Sequence, residues 1–159
     1  MHGRYRQIEQ VLFREATEAD LAAIVGLLAD DELGRLREDA SLPLAPAYVD
    51  AFKAIDEDAN QLQCVAESDG QVVGSLQITF IPGISHKGGW RGQIESVRVA
   101  AAQRGTGIGH KFISWAVDLC RAKGCRLVQL TSDKSRHDAQ RFYERLGFTP
   151  SHEGYKLKF

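Results

Sequence analysis

The chain has little of what marks a stapled, fibrous or membrane-embedded protein. Its 159 residues hold only three cysteines. The odd number and the lack of paired metal-ligand spacing exclude a disulfide scaffold, so Cys64, Cys120 and Cys125 read as reduced core thiols of a cytoplasmic protein. Net charge is scarce too: 20 Lys and Arg stand against 21 Asp and Glu, a balance of −1. That balance argues against a surface built for nucleic acid or an anionic membrane, and neither partner is expected. No apolar run is long; Leu21 to Ala29 (LAAIVGLLA) is about half of what a bilayer span needs. Behind its basic residues the N-terminal MHGRYRQIEQ has no apolar block, so no secretory signal is expected. No two of the five histidines stand at metal-ligand spacing, and no metal is expected.

What remains is ordinary for a globular chain. A hydrophobic fraction of 43% and a charged fraction of 26% exclude collagen-like and disordered classes. The length fits one domain over residues 1–159.

Phe13 to Ala16 suits a short strand, and Thr17, with Asp20 three residues on, gives a capping-box-like helix start. Leu21, Ile24, Val25 and Leu28 then recur at helical spacing. Asp30 to Ala45 is charged, then Pro-containing, and reads as a helix end and a loop, before Tyr48, Ala51, Phe52 and Ile55 mark a second helix. So weakly patterned a segment ahead of the sheet suits a wall of a substrate pocket. Leu62, Cys64 and Ala66 alternate with polar neighbours, Asp69-Gly70 supplies a turn, and Leu76, Ile78 and Phe80 alternate on the return, an antiparallel hairpin. The loop Ile81 to Gly89 with Trp90 suits either an acceptor pocket or sheet-edge packing, and the stretch up to Val99 is a further strand.

Ile108, Phe112, Trp115, Ala116, Leu119 and Cys120 share one helix face that Lys123-Gly124 closes. With the strand Arg126 to Thr131 this makes strand, glycine turn, helix, strand: a βαβ unit with parallel strands. Ser135 with Asp138 caps a last helix, which turns Ala139, Phe142, Tyr143 and Leu146 inward until Gly147. Phe148 to Phe159 reads as a terminal hairpin turning near Glu153-Gly154.

The most informative segment is VRVAAAQRGTGIG, Val97 to Gly109. Gly105, Gly107 and Gly109 fall at alternate positions where a strand gives way to a helix, a geometry that aims main-chain N–H groups and a helix dipole at one anion. A turn that only caps the helix would use the same glycines. Two other phosphate motifs fail on spacing. A Walker A loop ends in Gly-Lys-Ser/Thr, whereas His110, Lys111 and Phe112 follow Gly109. A dinucleotide fingerprint is G-x-G-x-x-G near the start of a sheet, and here G-x-G-x-G follows several strands.

Arg104-Gly105-Thr106-Gly107-Ile108-Gly109 resembles the R/Q-x-x-G-x-G/A loop of the GNAT superfamily of N-acetyltransferases. Ala139 to Phe148 (AQRFYERLGF) resembles that family's second signature, A-x-x-F-Y-x-x-x-G-F, about 35 residues on. The resemblance implies an α/β fold with a GNAT-like mixed, mostly antiparallel central sheet of about seven strands flanked by helices on both faces. It implies acetyl-CoA as co-substrate and a homodimer. Carried onto these positions, Val97, Arg98 and Val99 would meet the pantetheine arm as an added strand does. Arg104, Gly105, Thr106, Gly107, Ile108 and Gly109 would hold the pyrophosphate, and Ala139, Phe142 and Tyr143 would complete the cofactor site. One departure is visible: the family's frequent Asn three residues before the signature Ala is Arg136 here.

Acetyl transfer needs an unprotonated amine and a proton for the departing thiolate. With a pKa of about 10 against about 8.5 for a thiol, Tyr143 would stay protonated and could serve as general acid. Glu95, on the strand before the cofactor loop, is the candidate base. Strict alternation would put Glu95 with Val97 and Val99 on one face, unless a bulge intervenes. No cysteine falls in either signature, which favours direct attack over a thiol intermediate. The expected acceptor is a primary amine of a small molecule; the alternatives are a protein lysine or N-terminus, or a non-catalytic acyl-CoA sensor.

Overall fold

The computed structural model describes residues 10–159; the first nine residues, and with them the signal reading, lie outside it. In chain order come β1 (Val11–Glu15), α1 (Leu21–Ala29), α2 (Gly34–Arg37), α3 (Pro46–Glu57), β2 (Gln61–Ser68) and β3 (Gln71–Ile81). A single turn, α4 (Ser85–Gly88), leads to β4 (Arg91–Val99), α5 (Ile108–Ala122), β5 (Leu127–Gln129) and α6 (His137–Arg145). The strands lie in the order β1-β2-β3-β4-β5, antiparallel except for the last pair. No helix among the described residues is long and apolar enough to cross a membrane.

Local signals explain most boundaries. The Thr17 N–H donates to the Asp20 carboxylate at 2.8 Å and opens a 3₁₀ turn that runs into α1. Asp20 also takes Arg14 at 2.7 Å, and that hydrogen bond, more than any other influence, lowers its carboxyl to about 2. Pro46 stands in the first turn of α3, where a missing N–H costs nothing.

Each sheet face buries its own core. On one side Leu76, Ile78 and Ile94 pack with Phe112, Ile113 and Ala116 of α5. Phe112 stacks on Phe13 with centroids 5.2 Å apart. On the other, Val65 packs against Leu21, Ile24, Val25 and Phe52 of α1 and α3. At about 1.5–3 kcal/mol per large side chain removed from water, these two layers hold the sheet between its helices.

Four readings need correction. Among the described residues the sheet has five strands, not about seven. The missing pair is the terminal hairpin: residues 148–159 form no strand, and beyond Phe148 their only main-chain bond among the described residues is local, from Ser151 N–H to Thr149 O. Pro150 would interrupt the first arm of such a hairpin, since it has no N–H for a ladder. Ser135 caps nothing, because its N–H and hydroxyl both donate to Asp133 Oδ1, and α6 begins at His137. The loop read over Asp30 to Ala45 contains the short helix α2.

Candidate functional site

Strand β4 is nine residues long but pairs with β5 only over Arg91 to Gln93. Past Gln93 the two parallel strands part, and among the described residues no strand pairs with the β5 side of β4 from there down to Val99. Such an edge accepts an extended ligand as if it were another strand.

At the end of that edge lies the glycine loop. Gly105 and Gly107 both have positive φ, +79° and +87°, a conformation that other residues adopt only with strain. The consequence is a run of outward-facing donors: among the described residues, the N–H groups of Gly105, Gly107, Ile108, Gly109 and His110 have no protein acceptor. They gather at the N-terminus of α5, the positive end of a fifteen-residue helix. The bare loop therefore fits a diphosphate through its main chain. Thr106 serves the loop itself, its hydroxyl donating to Gln103 O at 2.6 Å, and the Arg104 side chain is exposed.

Gly109 ties three elements together. A Cβ there would lie 3.5 Å from the Phe142 ring and 3.6 Å from Val99, so the loop, the end of β4 and α6 converge. Tyr143 follows Phe142 and sits edge-on between it and Phe148, at 5.3 and 6.0 Å. Burial raises the phenol's pKa, and Arg98 and Arg136 only partly oppose that. Its hydroxyl has no hydrogen-bond partner among the described residues, which leaves the proton free to donate.

A bulge does intervene in β4. Ser75 pairs with Arg98 and Gln77 with Glu95, so Leu76 alone faces Ser96 and Val97, and Ser96 takes φ +54°. The extra residue resets the alternation: Glu95 and Arg98 share one face, while Ile94 and Val99 share the other. Glu95 is exposed, on the face that also carries Gln61, Gln77 and Thr79, which hydrogen-bond to one another.

A model of the acetyltransferase (GNAT) family matches residues 27–148. The chain belongs to that family. Over 108 residues, 67% of this chain and 68% of the other, it is 36% identical to the aminoalkylphosphonate N-acetyltransferase of Salmonella typhimurium. Over 79 residues, half of each chain, it is 37% identical to the glucosamine 6-phosphate N-acetyltransferase of Trypanosoma brucei. A solved Bacillus halodurans structure described as a transcriptional regulator is 51% identical, with a TM-score of 0.92, over 94% of this chain and all of the other. As a GNAT enzyme the chain is an acyltransferase that draws on acetyl-CoA.

The acetyltransferase has a further group that sequence reading did not assemble. Asp31, in the loop after α1, meets Arg136 at 2.8 Å and Arg98 at 3.2 Å through the same oxygen, Oδ2. Its other oxygen takes the Gly34 N–H. The partners lie up to 105 residues apart, and the one local signal was Arg136 standing where the family often has Asn. Trp90 and the loop before it do not join the site. They line a cleft of about 300 Å³ with Arg126 and Leu127 at the start of β4 and β5, the opposite end from Val99.

Proposed function

We propose that this acetyltransferase moves the acetyl group of acetyl-CoA to the primary amine of a small molecule, by direct attack within a ternary complex. The observation that carries the reading is the free edge of β4 running into five unpaired N–H groups, with the Tyr143 hydroxyl open beside its end. Val97, Arg98 and Val99 offer main-chain partners to the pantetheine arm, and Arg104 to Gly109 surround the diphosphate. Ala139 and Phe142 of α6 close the other side. Tyr143 gives its proton to the departing thiolate, and Glu95 takes one from the amine, directly or through water.

Direct attack is supported by the state of the thiols. Burial raises Cys64 to about 12 and Cys120 to about 11, so neither supplies a thiolate nucleophile at neutral pH. A small acceptor is supported by the two relatives described above, which by name act on an aminoalkylphosphonate and an amino sugar phosphate. The whole chain, 1–159, acts as one domain in the cytoplasm. Thiol release across an amine panel tests the assignment. Turnover of small amines is expected; turnover of peptides alone would move the acceptor to a protein, and coenzyme binding with no product would leave a sensor.

The protein is a homodimer in this reading. Tyr155, Leu157 and Phe159 alternate along the unpaired C-terminal segment and are 91%, 84% and fully exposed. Among the described residues no strand pairs with the outer edge of β5, where Leu127 is half exposed, so the segment of a second copy can add there as a strand. Sedimentation should give a dimer that becomes a monomer when residues 152–159 are deleted.

A further inference from the structure

The chemistry around Asp31 is unbalanced. Arg98 lies on β4 opposite Ser75, mostly buried, with a single hydrogen bond among the described residues, from Nη1 to the Val97 carbonyl at 2.8 Å. Its Nε lies near Asp31 but is misaligned and has no hydrogen-bond acceptor. Arg136 shares the same Asp31 oxygen, and Arg37 adds a third positive charge acting on Arg98 and on Asp133. Asp133 is itself occupied by Ser135. A guanidinium carries five donors, so most of this cluster's hydrogen-bonding capacity is unspent, and burying a cation with so little compensation costs stability. The Gly34 N–H anchors Asp31 in the loop, and the backbone there packs so closely on α1 that a Cβ on Gly34 would collide with the Leu28 carbonyl. Arg98 directly precedes Val99, which meets Gly109 beside the Phe142 ring, and Tyr143 packs edge-on against Phe142, so the cluster lies at the end of β4 where Tyr143 also sits.

We infer that the acceptor amine carries an acidic group, a phosphonate, phosphate or carboxylate, that docks on the guanidiniums of Arg98 and Arg136 beside Tyr143. The inference rests on the acetyltransferase reading above and names its substrate class. Planar guanidinium forks suit two-oxygen recognition of such groups. With the acid held there, the amine at the other end of a short linker is directed toward the thioester.

Three acceptors of similar length test this: 3-aminopropylphosphonate, 4-aminobutyrate and butylamine. kcat/KM for the acidic amines should exceed that for butylamine by about 10- to 100-fold, the worth of one bidentate charge-assisted contact. In Arg136→Gln that ratio should fall at least about tenfold, mainly through KM, with Arg136→Lys recovering part of it. Equal use of butylamine, or a ratio unchanged in Arg136→Gln, would overturn the inference. A second arm separates it from the activity: propylphosphonate, which has no amine, should bind calorimetrically to the parent and more weakly to Arg136→Gln. Binding without acetylation of any amine would defeat the activity and leave the acid site standing. No phosphonate binding at millimolar concentration would defeat the acid site whatever the turnover, and melting curves confirm that the variants are folded.

Discussion

Gly107 and Gly124 form a matched pair. Both have φ +87°, and at both a Cβ would meet open space, so alanine at either position is opposed only by the left-handed backbone. That costs about 1–2 kcal/mol, which for a chain of this length lowers the melting temperature by about 2–8 °C. Their surroundings differ. Gly124 follows the C-terminus of α5, whereas Gly107 is its N-cap, and its own N–H and that of Ile108 are unpaired among the described residues. In Gly107→Ala the loop relieves strain by rotating a peptide plane, which turns at least one donor away from the diphosphate. One hydrogen bond to a charged group is worth about 1.5–3 kcal/mol, so the coenzyme should bind about 10- to 150-fold more weakly. Gly124→Ala should show the same loss of stability and parental affinity. Calorimetric titration with CoA, beside melting curves, measures both. If Gly107→Ala binds CoA as tightly as Gly124→Ala, the loop amides are not the diphosphate site and the reasoning fails.

Tyr143→Phe keeps the ring and its contacts with Phe142 and Phe148, so CoA affinity should persist while kcat falls about 10²- to 10⁴-fold. Because burial raises the phenol's pKa, the parent should lose turnover through Tyr143 ionisation only above the ordinary tyrosine range. Glu95→Gln should lower kcat about 10²- to 10⁴-fold with CoA affinity unchanged; turnover equal to the parent's removes Glu95 as base. Asp20 supplies a stability test: its carboxyl sits at about 2 against 3.8 unpaired. A lowered folded-state pKa stabilises above the unfolded value, so about 2 kcal/mol present at neutral pH should be lost as pH falls from 4 through 2. Urea titrations at pH 7, 4 and 2 should show that loss in the parent and not in Asp20→Asn.

Much of the fold was legible because it was locally encoded. The Asp69-Gly70 hairpin, the stripe of Ile108, Phe112 and Ala116, and the glycines ahead of α5 each carry their signal within about one element's length. The glycine loop was legible as a candidate site for the same reason: its unpaired donors all come from one short stretch, Gly105 to His110. Tertiary structure decided whatever depends on a partner distant in sequence. Tyr155, Leu157 and Phe159 alternate as a strand's residues do, but the segment pairs with no strand among the described residues, since a strand exists only through its neighbour. The bulge at Ser96 reassigned Glu95 from the face of Val99 to that of Arg98, and one inserted residue in a period of two is invisible until the register is seen. Asp31, Arg98 and Arg136 are three unremarkable charges in the sequence. They become one site only where the end of α1, β4 and the start of α6 meet, because charge acts through space and not along the chain.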